Sequence, residues 1–398
     1  MPYERFFTLN RSIHPAEPLK TRCPLPVTSK LTGIYRIRCE ASHINERAQA
    51  IAVEQSVEMP LAAIDDASVL TDIVGRVETV CDQGDGTFLA SIALSVATTG
   101  FEAGQLLNVL FGNSSIHDDV SLHDIILPPE LSTRFTGPRH GPDGLRARVG
   151  ARRRALTCSA LKPQGLPPAS LASLAGKLAM GRLDYIKDDH GLADQTAAPF
   201  AERVKAVSAT LRACARETGK PTRYLPSITG NLDALRQQVR VARDHGIDTL
   251  LIAPMIVGLP SFQTIVRENA DMAFIAHPAM AGAARIAPTA LFGRLFRMIG
   301  ADGVIYPNAG GRFGYSSATC RAIAEAALSP WANVKPCLPV PAGGMKLSAL
   351  PDILRFYGAD AMLLIGGDLL TAGAAVTEQA QAFQTAVEAF EHQQSADQ

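Results

Sequence analysis

Two textures of hydrophobic spacing divide the chain. Between residues 155 and 366 short apolar runs recur, each followed by a stretch with apolar residues at three- and four-residue steps. The runs are ALTCSAL (155–161), LDYIK (183–187), RYLPSI (223–228), TLLIAP (249–254), MAFIAH (272–277), GVIY (303–306), PCLPV (336–340) and AMLLIG (361–366). Such short runs suit strands buried on both faces. Between them, AERVKAVSATLRACARETG (201–219) and LDALRQQVRVARDHG (232–246) read as amphipathic helices that stop at Gly. Eight repeats of this kind predict a (β/α)8 TIM barrel, with its chemistry at the C-terminal ends of the strands. Upstream, GIYRIRCEA (33–41), VGRVETVCD (74–82) and FLASIALSVAT alternate like half-buried strands, and NERAQAIAVEQS (45–56) has helical spacing. NVLFGNSS closes a helix or strand before a loop at 113–119. The Gly- and Pro-rich FTGPRHGPDG (135–144) reads as a linker. The expected fold class is α/β: a smaller N-terminal α+β (ferredoxin-like) domain over 1–134 and a C-terminal barrel over 145–398. Residues 1–30 read as a loosely structured arm, and QAFQTAVEAFEHQQSADQ as a helix fading into a polar tail.

A chain of 398 residues suits one large domain and one small one. Its formal net charge is zero, which gives no electrostatic case for nucleic acid or an anionic membrane. The RARVGARRR run (146–154) reads as a solvated face or a phosphate-steering patch. No secretory h-region opens the chain and no run approaches a membrane span, so a cytoplasmic location is expected. Seven scattered cysteines without a C-x-x-C pair fit reduced thiols.

The strand ends carry the chemistry. Lys162 follows the first barrel run. Lys187, Asp188, Asp189 and His190 follow the second, in GRLDYIKDDHG. Burying that cluster is costly unless its members pair or hold a metal. His277 ends the fifth run, and PNAGGRFGY (307–315), with Arg312, follows the sixth. Gly343 and Gly344 follow the seventh, and Gly366 and Gly367 the eighth; paired glycines let backbone N–H groups approach a phosphate. His117, Asp118, Asp119 and His123 read as a solvated loop rather than a metal site.

The ordered set GPRHG (137–141), ALKPQGL (160–166), GRLDYIKDDHG (181–191), FIAHPAM (274–280), GADG (300–303), PVPAGGM (339–345) and LLIGGD (363–368) resembles the large subunit of RuBisCO. The likeness runs from about residue 33 to 390. It implies Mg²⁺ held by Lys187 as its N6-carboxylysine and by Asp189, with His190 where carboxylating members have a glutamate. Other departures are Pro278 for an arginine, Ala281 for a histidine, Ile305 or Tyr306 for another histidine, Arg312 near the mobile-loop lysine, and Ala342 for a serine. Too much is lost for CO₂ fixation, so the chain looks like a non-carboxylating, form IV, RuBisCO-like protein. The resemblance also places Glu54 in a neighbouring subunit's site, with an asparagine partner at Val109 or Asn108 by register. It implies a homodimer with a shared active site, larger assemblies of dimers remaining open.

The remaining groups suit an enolate of a phosphorylated keto sugar. Lys162, Lys187 and His277 are the candidate proton-transfer groups, and Gly343, Gly344, Gly366, Gly367 and Arg312 the candidate phosphate grip. The KDDHG variation resembles the group acting on 3-oxo-isoapionate 4-phosphate, so decarboxylation, or transcarboxylation with hydrolysis, is the leading expectation. The alternatives are a methionine-salvage 2,3-diketo-5-methylthiopentyl-1-phosphate enolase or 5-methylthioribulose-1-phosphate isomerase. A non-catalytic scaffold should have lost Lys162, Lys187 and the glycine pairs together, and all survive.

Overall fold

The computed structural model describes residues 30–396. Its N-terminal part is an antiparallel sheet of β1 (Leu31–Arg38), β2 (Arg76–Asp82), β3 (Thr87–Leu94) and β4 (Val120–Ile126), in the order β2-β3-β1-β4. Helices α1 (Ile44–Glu54) and α2 (Ala103–Phe111) pack on it through Ile44, Ala48, Ile51, Leu106 and Leu110. This is the ferredoxin-like arrangement. The pattern analysis did not pick out β4. Its buried Val120, Leu122 and Ile125 break the alternation after Leu122, where a bulge shifts the pairing with β1 between Ile34 and Tyr35. The expected linker is partly helical, because Gly141–Arg148 forms a helix that sends Leu145 and Val149 into the floor of the barrel.

The barrel strands are β5 (Leu156–Leu161), β6 (Tyr185–Asp188), β7 (Arg223–Leu225), β8 (Ser227–Ile228), β9 (Thr249–Ile252), β10 (Ala273–Ala276), β11 (Gly303–Pro307), β12 (Leu338–Ala342) and β13 (Met362–Leu364). They pair in parallel in the order β7-β6-β5-β13-β12-β11-β10-β9-β8. Nine strands occupy eight positions because β7 and β8 are one run interrupted at Pro226, which has no N–H for the ladder. The Pro226 carbonyl still accepts from Leu251 N–H (3.0 Å), and Ser227 N–H turns to the Asp188 carboxylate (3.0 Å). Each expected apolar run overlaps its strand, with β6, β11 and β12 extending one or two residues past the run's end.

Strand alternation sets what faces the barrel interior. Leu156, Cys158, Tyr185, Leu225, Leu251, Ile275, Ile305, Val340 and Leu364 fill it, while Ile186, Val304 and Tyr306 pack outward against the helices. The same two-residue period carries Lys162, Lys187, His277, Ala342 and Gly366 to the inward side at the C-terminal rim. It also resolves the register left open at 305 and 306, since Ile305 faces inward.

The basic run is mostly structural and lies at the N-terminal end of the strands. Arg146 pairs with Asp360 (2.7 Å), Arg148 with Asp248 (3.6 Å) and Arg154 with Asp184 (2.5 Å). Asp119 accepts two hydrogen bonds from Arg47 (2.7 and 2.9 Å), and His123 lies half-buried on β4. Cys39, Cys158, Cys214, Cys320 and Cys337 are free thiols, but Cys81 is disulfide-bonded, so the expectation of reduced thiols holds only for those five. Cys23 and the N-terminal arm lie outside the described residues. No helix among the described residues is long and apolar enough to cross a membrane.

Candidate active site

A cavity of about 800 Å³ opens at the C-terminal rim of the barrel. Lys162, Lys187, Asp189, His190, His277, Arg312, Gly343, Gly344, Gly366 and Gly367 all line it. Of the expected site residues only Glu54 does not.

The acidic pair at the end of β6 divides by strand parity. Asp188 points outward and is fully buried, accepting from Tyr224 Oη (2.6 Å), Arg203 Nε (3.1 Å) and Ser227 N–H. It braces β6 against the interrupted strand. Lys187 points inward and donates through Nζ to the Asp188 carbonyl (2.8 Å). Burial lowers the pKa of Lys187 below the usual lysine value, partly opposed by Cys158 and Asp189. That favours the neutral amine, which is the form that adds CO₂.

Asp189 accepts from Lys162 Nζ (2.6 Å), and its other oxygen lies 3.0 Å from His190 Nδ1. Burial works to raise its pKa, but the hydrogen bonds from His190 and Lys162 and the charges of Lys187 and Lys162 hold it well below the usual carboxylate range. His190 stacks on His277 with ring centroids 4.3 Å apart and planes 9° from parallel. The pKa of His277 is pushed down to about 2, first by burial, then by the charges of Lys187 and His190. Its Nδ1 accepts from Ala279 N–H (3.1 Å). The neutral ring therefore carries its proton on Nε2 and acts as a donor there, rather than as a base.

No group of three His, Cys, Asp or Glu side chains among the described residues converges as a metal site. Asp189 and His190 supply two donors, and a carbamate on Lys187 would complete a set of mixed oxygen and nitrogen ligands for a divalent cation. The charges agree, since carbamate and carboxylate together balance a dication.

Beside this cluster, after the neighbouring strands β12 and β13, the glycines form a cradle. Gly343 and Gly344 have φ of 82° and 85°, and a Cβ on Gly311 would stand 2.0 Å from the Gly343 carbonyl oxygen. The loop after β11 thus rests against the one after β12. Asn308 N–H donates to the Ala342 carbonyl (2.7 Å), and Arg312 lies over the Phe313 ring at 5.0 Å. Gly366 and Gly367 open the short helix Gly367–Leu370, where amides have no intrahelical acceptor. The sequence reading missed Lys346, Thr371, Met280 and Phe313, which also line the cavity. Lys346 and Thr371 lie one and three residues beyond PVPAGGM and LLIGGD, while Met280 and Phe313 lie inside FIAHPAM and PNAGGRFGY, where an apolar side chain carries no chemical signal of its own.

Glu54 ends α1 and accepts from Asn113 Nδ2 (2.9 Å). At Asn108 and Val109, the positions expected for an asparagine partner, the backbone carbonyls accept from Gln55 Nε2 (3.0 Å each). Gln55 Oε1 also accepts from Ser114 N–H (3.0 Å), so one glutamine clamps the loop that presents Asn113.

A parallel barrel with phosphate-sized glycine cradles, a lysine–aspartate–histidine cluster and a ferredoxin-like domain defines a class. The description of the ribulose bisphosphate carboxylase large chain, catalytic domain, matches residues 143–398. The chain belongs to the RuBisCO large-chain family, in its RuBisCO-like, form IV branch. It is 58% identical over 362 residues to the 5-methylthioribulose-1-phosphate isomerase of Rhodospirillum rubrum, covering 91% of this chain and 97% of that one. A crystal structure of a RuBisCO-like protein from Rhodopseudomonas palustris superposes with a TM-score of 0.85 at 50% identity, covering 91% of this chain and 98% of that one. The 2,3-diketo-5-methylthiopentyl-1-phosphate enolase of Geobacillus kaustophilus is 34% identical over 70% of both chains.

These relatives overturn the leading expectation of decarboxylation or transcarboxylation of 3-oxo-isoapionate 4-phosphate. That expectation leaned on His190 alone, one position in the cluster. The identity to an isomerase of a methylthio sugar phosphate extends along nine-tenths of the chain.

Proposed function

We propose that the protein isomerises 5-methylthioribulose 1-phosphate or a close methylthio analogue. The likeness to the R. rubrum isomerase over almost the full length of both chains carries this reading. The cavity supports it independently, because its two ends differ in chemistry. One end has the glycine cradle with Arg312 and Lys346, suited to one phosphate. The wall formed by Pro278, Met280, Ala281, Ile305 and Ala342 has no charged side chain and suits an apolar terminus. A bisphosphate would leave its second phosphate there desolvated and unpaired.

The reaction needs a carbon-bound proton removed beside the carbonyl, negative charge held on an enediolate, and the proton returned to the neighbouring carbon. No atom is gained or lost. Lys162, 36% exposed and ion-paired to Asp189, is placed to carry the proton. His277 offers Nε2–H to an enediolate oxygen, and its low pKa keeps the ring neutral while it does so. Mg²⁺ held by carbamylated Lys187, Asp189 and His190 would polarise the carbonyl. The phosphate in its cradle fixes the carbonyl's position, using binding energy remote from the reacting carbons. Glu54 and Asn113 lie outside their own chain's cavity, which supports a homodimer in which each N-terminal domain completes the other chain's site.

The test is ¹H and ³¹P NMR in D₂O with Mg²⁺ and bicarbonate. An isomeric keto sugar phosphate bearing deuterium at the reprotonated carbon is expected from 5-methylthioribulose 1-phosphate. Inertness toward it, with turnover of 2,3-diketo-5-methylthiopentyl 1-phosphate, would move the protein to the enolases.

A further inference from the structure

The loop after β10 contains a backbone conformation that its residue does not favour. Pro278 to Ala281 form a tight turn closed by Ala281 N–H donating to the Pro278 carbonyl (3.0 Å). Met280, at the third position, has φ 64° and ψ 4°, in the left-handed region. Glycine is the ordinary residue there, and a residue with a side chain is strained in that conformation. The turn is held from both sides. Ala279 N–H is fixed on His277 Nδ1, and Ala283 N–H donates to the Met280 carbonyl (3.0 Å).

The side chain kept at that cost is also unusually placed. Met280 is 57% exposed although it is a large apolar group, and it lines the catalytic cavity. Nothing in the core explains it. In the strand order β10 is separated from β13 by β11 and β12, so Met280 stands across the mouth from the Gly366–Gly367 cradle. Both line the same cavity, so a linear molecule anchored by a phosphate at the cradle would have its free end on Met280's side of the mouth. A backbone outlier beside a site is a reason to look for function.

We propose that Met280 is the specificity-determining contact for the alkylthio end of the substrate, an inference that rests on the isomerase reading above. Its flexible, polarisable thioether lies against the substrate's methylthio group and covers it from water. The neighbouring wall supplies no charge to an anionic or strongly hydrated group at that carbon, so such substrates are discriminated against.

The test compares kcat/KM for 5-methylthioribulose 1-phosphate with that for its 5-deoxy analogue, which lacks the methylthio group. In the wild type the methylthio substrate is the better one. In Met280→Ala and Met280→Gln the ratio falls about tenfold, through KM rather than kcat, as expected for loss of roughly one buried thioether contact. Met280→Leu keeps the ratio within about threefold. Met280→Gly removes the strain as well as the side chain, so its ratio falls while its melting temperature does not. A structural role would lower both substrates together and leave the ratio fixed in every variant. That result, with a wild type that turns over the methylthio substrate, would overturn the role of Met280 and leave the isomerase reading standing. A wild type inert toward both substrates would overturn both.

Discussion

Lys162 Nζ and Asp189 Oδ2 lie 2.6 Å apart, joining the ends of two adjacent barrel strands inside the cavity. Against its burial, Asp189 is kept ionised by the hydrogen bonds from His190 and this lysine, and the lysine is the more exposed of the ion pair. Lys162→Met should lower kcat by about 10²–10⁴-fold, the range for loss of a positioned proton carrier. Turnover followed by NMR checks this, with substrate binding measured by calorimetry. A loss of less than tenfold would exclude Lys162 from proton transfer.

Lys187 is buried and its amine is biased toward the neutral form. Purging CO₂ should inactivate the enzyme, and bicarbonate with Mg²⁺ should restore it. Lys187→Arg, which forms no stable carbamate, should stay inactive under both conditions. Activity independent of CO₂ and of chelation would show that the lysine serves as a plain amine.

The Glu54–Asn113 pair makes a subunit-mixing prediction. Glu54→Gln and Lys162→Met homodimers should each be impaired. Refolded together in equal amounts, they should recover about a quarter of wild-type activity, since half the dimers carry one intact site. No recovery, with both chains folded, would show that Glu54 serves no partner site.

A glycine contact holds the loop after β11 onto the phosphate cradle. In Gly311→Ala the new methyl meets the Gly343 carbonyl, which forces the two loops apart. KM should rise about tenfold or more, and inhibition by inorganic phosphate should weaken in parallel. Unchanged phosphate inhibition would mean that the cradle does not depend on this contact.

His123 gives a pH signature separate from the site. Burial lowers its pKa below 6.5, Arg36 adds to the shift, and Asp124 opposes it. The unfolded state therefore binds more protons just below pH 6.5, and the native state loses stability as pH falls through that value. Melting temperatures at pH 7.5 and 5.5 should differ less in His123→Gln than in the wild type. An equal drop in both would remove His123 from the acid response.

The barrel was legible because strands buried on both faces stand out as short apolar runs, and eight of them alternate with helical segments. Pro226 hid inside RYLPSI as part of a single run, since a proline in a strand shows only when the ladder is drawn. β4 escaped because its bulge breaks alternation after Leu122. Lys162, Lys187, Asp189, His190, His277 and the glycines lie together as motifs and parity implied. Asn113 was out of reach because a count along the chain does not show which loop residue hydrogen-bonds the end of α1, and the ungapped count landed on Asn108 and Val109. The reaction was misjudged for a different reason. One histidine in a cluster says little about a substrate, because the apolar residues that share the cavity with it, such as Met280, Ala281 and Ile305, carry no catalytic signature.

The cavity is assembled from two arcs of one cylinder. β5, β6, β12 and β13 are consecutive neighbours and carry the lysines, the acid and the glycine cradle, while His277 with the turn after β10 and the inward face of β11 line the cavity from the other arc. His277 ties the second arc to the reacting groups, because its Nδ1 accepts from Ala279 N–H in that same turn. Replacing Met280, Ala281 and Ile305 while keeping Ala279 should change which phosphorylated ketose is accepted and leave the lysines and the glycine cradle in place.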